Sequence, residues 1–179
     1  MVWQFCGVYL EKTPHTPSPP YLLKCMHIPI VILKKPTPGL RKEINLLIAG
    51  LSLTATPPPP LTPVQFKELL EQKNVSILAA YETTGKREKI IGFLTMYVVR
   101  IPSGITAMAE DFLVYDDYRK WGVGRMLMEH AINLAEKKGA RHLNLRTSSK
   151  RIEANQLYVR MGFHLHITNF YRINLPRTQ

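Results

Sequence analysis

Apolar positions along this chain switch between strand-like and helix-like spacing, and the order of the switches lays out the elements. His27–Lys35 is a β-branched run ended by Pro36 and predicts a first strand. Pro38–Leu51 changes to helical spacing, with Pro-Gly near its start and Leu40, Ile44, Leu47, Ile48 and Leu51 on one face. Pro57–Pro60 is a rigid spacer. It leads to a second helix over Thr62–Lys73, with Thr62 as N-cap and Pro63 in the first turn. Val75–Tyr81 and Lys89–Ile101 predict strands around a Gly85 turn. Pro102–Gly104 then turns the chain into a strand over Thr106–Val114, so an antiparallel meander is expected.

Helical spacing returns over Arg125–Lys138, with Val123, Leu127, Ala131 and Leu134 in register. Lys137 and Lys138 suit the last turn, and Gly139 suits the C′ position. His142–Thr147 alternates with Leu143 and Leu145 on one side. Ile152–Met161 reads as a helix ended by Gly162. Phe163–Ile167 and Asn169–Asn174 read as two short closing strands. The expectation is an α/β fold with a mixed central sheet of about seven strands flanked by about four helices.

The segment joining the last long strand to the third helix carries the candidate chemistry. It reads Asp116-Asp117-Tyr118-Arg119-Lys120-Trp121-Gly122-Val123-Gly124. A helix N-terminus leaves backbone N–H groups unpaired and carries partial positive charge, which suits an anion. Glycines let the backbone approach that anion closely, and successive amides form a nest for it. Arg119 and Arg125 add fork-shaped donors for phosphate oxygens. A diphosphate-bearing cofactor is the expectation.

Composition narrows the rest. The 179 residues suit one domain and an appendage, with 45% hydrophobic and 21% charged positions. Residues 1–25 include Thr13-Pro14-His15-Thr16-Pro17-Ser18-Pro19-Pro20, which favours an extended or disordered extension, with the functional domain over 26–179. No apolar run is long enough to cross a bilayer, so no membrane partner is expected. The two cysteines, Cys6 and Cys25, imply no disulfide framework and fit a cytoplasmic location. A net charge of +11 would attract polyanions. The cations form no block interleaved with aromatics, however, so nucleic acid is not the expected partner. No metal site is expected from the six histidines; His164-x-His166 reads as a surface strand.

Two motifs give the chain a resemblance. Arg119-Lys120-Trp121-Gly122-Val123-Gly124 resembles the (Arg/Gln)-x-x-Gly-x-(Gly/Ala) loop of GNAT superfamily N-acetyltransferases. Ala154-Asn155-Gln156-Leu157-Tyr158-Val159-Arg160-Met161-Gly162-Phe163 resembles that family's second signature, a helix ending in Gly-Phe. The order of elements over about residues 27–174 is similar too. The resemblance implies acetyl-CoA as co-substrate, an amine acceptor (small molecule or protein) and no metal; it leaves a homodimer open. The backbone from Arg119 through Lys120, Trp121, Gly122, Val123 and Gly124 to Arg125 would wrap the pyrophosphate. Phe112, Leu113 and Val114 would pair with the pantetheine arm, and the N–H near Leu113 would polarise the thioester carbonyl.

In the family a tyrosine placed like Tyr158 protonates the departing thiolate, although a tyrosine there also reads as core. Helical spacing sets Ala154, Leu157 and Met161 on the buried stripe with Tyr158 at its margin. Glu110 and Asp111 are the candidate proton acceptors, Glu110 preferred, and a structural salt bridge is the alternative for it. Arg151 stands where the family often has an asparagine that contacts the cofactor, and Asn155 lies beside the motif's alanine instead. A non-catalytic acyl-CoA-binding or sensing module on the same fold is the rival reading.

Overall fold

The computed structural model describes residues 28–51, 58–84, 87–173 and 175. The expected extension over 1–25, the Gly85 turn and the first part of the 51–62 connection lie outside them. Strands β1 (Ile30–Ile32), β2 (Val75–Thr84), β3 (Arg87–Ile101), β4 (Gly104–Val114) and β5 (Leu143–Leu145) form one sheet in the order β1-β2-β3-β4-β5. Each neighbour pair is antiparallel except β4 and β5, which run parallel. Helices α1 (Pro38–Leu51) and α2 (Pro63–Glu71) cover one face, and α3 (Val123–Lys137) and α4 (Ile152–Arg160) the other.

Local chemistry accounts for the helix starts. The Thr37 hydroxyl accepts from the Leu40 N–H at the head of α1. At α2 the Thr62 hydroxyl accepts from the Gln65 N–H while the Gln65 side chain accepts from the Thr62 N–H, a reciprocal capping box.

The sheet separates two cores. Leu78, Ile91, Leu94 and Met96 meet Leu127, Met128 and Ala131 of α3. On the opposite face Ile77, Ala79 and Phe93 meet Ile44 and Leu47 of α1 and Phe66 of α2. Leu127 is fully buried. Leu127→Ala is therefore expected to cost about 2–5 kcal/mol of unfolding free energy, measured by urea denaturation.

The expected closing strands are absent among the described residues, so the sheet has five strands rather than about seven. Residues 163–173 carry no regular element, and Leu165 and Ile167 are 89% and 99% exposed. Alternation of Phe163, Leu165 and Ile167 with His164 and His166 reports only a preference for a half-buried pleated surface. A strand also needs a ladder partner, and β5 offers an edge of just three residues.

Candidate active site

The end of β4, a single 3-10 turn over Asp116–Tyr118 and the loop into α3 build one wall of the site. Gly122 caps α3 in the left-handed conformation at φ 81°, with open space where a Cβ would be. The first bond inside the helix runs from the Met126 N–H to the Gly122 carbonyl. The amides of Val123, Gly124 and Arg125 therefore have no intrahelical acceptor. Val123 is buried in the core and anchors the turn. A Cβ on Gly124 would lie 3.1 Å from the Phe112 ring, so glycine lets the helix start close against β4. Arg119 pairs with Asp116 at 2.7 Å and Arg125 with Glu129 at 2.7 Å. Both pairs are open to solvent and cost little to exchange for another anion.

The second wall comes from splaying of the sheet. β4 and β5 pair only from Ala107↔Leu143 to Ala109↔Leu145, and beyond Ala109 the edge of β4 has lost its neighbour. The Phe112 carbonyl on that edge accepts instead from the Arg151 guanidinium at 3.4 Å. Between this edge, the glycine loop and the start of α4 lies a cavity of about 800 Å³. Phe112, Leu113 and Val114 line it together with Arg119, Lys120, Gly122, Gly124 and Arg125. Arg151, at the family's asparagine position, lines it as well, as do Lys150 and Arg160, which the sequence does not single out. Lys150 adjoins Arg151 ahead of α4, and Arg160 ends the helix that carries the second motif.

Three expected cofactor contacts stand apart from that lining. Trp121 is half exposed, edge-on to Tyr118 at 5.7 Å. Val123 is in the core. The Asn155 side-chain NH2 donates to the Ser148 and Arg151 carbonyls, both at 2.9 Å, and so shapes the loop that presents Arg151.

Tyr158 is buried and packs between Phe112 at 6.2 Å and Phe163 at 5.9 Å. The inward stripe of α4 is thus Ala154, Tyr158 and Met161, and Leu157 faces the cavity. Burial pushes the Tyr158 phenol above its ordinary range, opposed by the charge of Arg151. Tyr118, which lines the cavity, donates to the Glu82 carboxylate at 2.5 Å, and that bond pushes its pKa up to about 12. It is a poor proton donor. Glu110 forms an ion pair with Arg146, whose guanidinium also lies 4.6 Å from the Phe170 ring. Among the described residues no three His, Cys, Asp or Glu side chains come together as a metal-binding group.

The sequence model of the acetyltransferase (GNAT) family matches residues 48–163. The chain belongs to this family. The matched stretch contains the glycine loop, the splayed edge of β4 and α4, so the cavity is built from family-defining elements. Acyl transfer is accordingly its class of chemistry. A streptothricin acetyltransferase from Streptomyces lavendulae is 43% identical over 54 residues, 30% of this chain and 29% of that protein. The match thus spans less than a third of that curated relative. Among solved structures, an aminoglycoside acetyltransferase from an uncultured soil metagenomic sample superposes with a TM-score of 0.69 at 20% identity, covering 83% of this chain and 97% of that one. A putative acetyltransferase from Agrobacterium tumefaciens gives a TM-score of 0.68 at 21% identity, with coverage of 82% and 100%. These two share the GNAT fold. No helix among the described residues is long and apolar enough to cross a membrane.

Proposed function

We propose that this chain is an N-acetyltransferase that uses acetyl-CoA and acts in the cytoplasm on an amine acceptor. The observation that carries the reading is one cavity bounded by an unpaired strand edge and an anion-binding helix start. The residues present fit such a ligand. The amides of Val123–Arg125 and the cations Arg119 and Lys120 suit a pyrophosphate, and Lys150, Arg151 and Arg160 suit further phosphate. Trp121 and Asn155 act one step back, shaping the loops on either side. The free edge of Phe112–Val114 suits an amide-bearing arm, and a backbone N–H beside Leu113 on that edge, of Phe112 or Val114, is the donor for a thioester carbonyl. Bound acetyl-CoA supplies an activated acyl group with a thiol leaving group.

Tyr158 is the proposed proton donor to that sulfur. Its raised pKa keeps the proton on the phenol at neutral pH. Its burial off the cavity wall is also the observation that favours the rival reading, a non-catalytic acyl-CoA-binding module. Turnover separates the two. Acetyl-CoA incubated with a polyamine, an aminoglycoside, streptothricin or a lysine peptide, each with this protein, is expected to release free thiol with at least one acceptor. Tight acetyl-CoA binding with no thiol release across such a panel would establish the binding module instead.

A further inference from the structure

Lys120 sits at φ 66° and Gly122 at φ 81°, left-handed on either side of Trp121. Glycine adopts that conformation freely. Lysine is disfavoured there and keeps it only where the surrounding structure over-determines it. Turns of this kind aim successive N–H groups at an anion. The loop therefore stays set for an anion only while both of its ends are fixed. At one end Val123, the first residue of α3, is buried in the core.

The other end is fixed from two neighbouring strands. The 3-10 turn closes with the Tyr118 N–H on the Tyr115 carbonyl at 2.9 Å and the Arg119 N–H on the Asp116 carbonyl at 3.1 Å. Tyr118 then reaches β2, donating its hydroxyl to the Glu82 carboxylate at 2.5 Å, a charge-assisted bond. Lys89 pairs with Glu82 across the β2–β3 ladder. Its ammonium lies 5.3 Å from the centre of the Tyr115 ring and 5.6 Å from that of Tyr118, so one cation holds both ends of the turn. Trp121, between the two left-handed residues, meets the Tyr118 ring edge-on at 5.7 Å. The cross-strand pair thus holds Tyr118, and Tyr118 holds the middle of the loop. Tyr118 lines the cavity, whereas Glu82 and Lys89 stand outside its lining. The bond to Glu82 pushes the Tyr118 phenol up to about 12, so the donor keeps its proton at neutral pH.

Resting on the acetyl-CoA reading above, we propose that Glu82 and Lys89 are positioning residues for the co-substrate, holding Tyr118 so that the loop over Arg119–Gly122 is set for the pyrophosphate before it arrives. The gain is preorganisation. A loop released from this brace spends part of its time with Lys120 relaxed out of the left-handed conformation, and apparent affinity falls with the fraction still competent. A hydrogen bond to a charged group shifts such an equilibrium by roughly tenfold to a hundredfold. The half-buried setting and the remaining ring contacts place the loss at the lower end. Simple charge predicts the opposite sign. Acetyl-CoA is polyanionic, so removing the Glu82 carboxylate would by itself tighten binding.

In the full chain, Glu82→Ala is expected to weaken acetyl-CoA binding by about tenfold in calorimetric titration. Tyr118→Phe keeps the ring on Lys89 and Trp121 and should weaken it as much, with no further loss in the double variant. Glu82→Gln retains an acceptor for the hydroxyl and should recover most of the affinity. With the best acceptor from the amine panel, Glu82→Ala should raise KM for acetyl-CoA and leave kcat at saturation in place. Thermal melts show whether each variant is folded at the titration temperature. Should the alanine variant melt below it, Glu82→Met, of similar length and without an acceptor, replaces it. Unchanged or tighter binding on loss of the Glu82 carboxylate, whatever happens to Tm, overturns the positioning role. So does additive loss in the double variant, which would make Tyr118 a direct ligand contact. In both cases the acetyltransferase reading stands. If the unsubstituted protein does not bind acetyl-CoA, the reading itself fails and the positioning role falls with it.

Discussion

Gly122→Glu should weaken acetyl-CoA binding about a hundredfold to a thousandfold and leave a folded domain. A carboxylate there would stand where the amides of Val123–Arg125 offer an anion site. At a separation near 4 Å and an effective dielectric of about 20, like charges repel by roughly 4 kcal/mol. Screening by solvent and by Arg119 brings that to roughly 3–4 kcal/mol, which corresponds to the stated loss. The left-handed φ of 81° adds a separate cost, because any side chain is disfavoured there by about 1–2 kcal/mol. Gly122→Ala isolates this second effect. It should lower Tm about as much as the glutamate does and reduce affinity far less, since its Cβ would meet open space. Calorimetric titration of both variants with acetyl-CoA, beside thermal melts, tests the assignment. Unchanged affinity in Gly122→Glu would remove the pyrophosphate from this loop.

Much of this site is legible in the sequence because it is built from local chemistry. The bounds of α1 follow from a helical apolar stripe and a Pro-Gly start, and the start of α2 from Thr62 and Pro63. The loop from Arg119 to Gly124 announces itself because a strand, two glycines and a helix must be joined in a few residues. Features set by long-range packing are harder to read. Thr95 pairs with Glu110 and Phe93 with Leu113, so Asp111 and Phe112 stand opposite Leu94 in a β-bulge, and nothing in Ala109-Glu110-Asp111-Phe112 marks it, because the extra residue is defined only by the register of β3. The stripe of α4 is ambiguous for a related reason. Spacings of three and four residues from Ala154 reach Leu157 and Tyr158 alike, and the rings of Phe112 and Phe163 select Tyr158. Conversely, Phe163–Ile167 has strand alternation without an edge to receive it.

That selection of Tyr158 sharpens what its removal should do. Tyr158→Phe deletes one hydroxyl and keeps the ring contacts with Phe112 and Phe163, so Tm and acetyl-CoA affinity should barely change. If the hydroxyl protonates the departing sulfur, kcat should fall by roughly 10²–10⁴. The lower end is expected, because a thiol is acidic enough to leave partly unaided and Arg151 supplies positive charge nearby. The sign of the pH effect follows from the role. A proton donor works protonated, and burial raises the phenol above its ordinary range, so activity should persist at neutral pH and fall as pH rises through that pKa. Tyr158→Phe should abolish this alkaline limb. The cavity offers no ready substitute, since Tyr118 is committed to Glu82. Steady-state kcat against pH for both proteins, with affinity measured in parallel, decides the matter. Full kcat with an intact alkaline limb in the variant would make Tyr158 a packing residue of the α4 core.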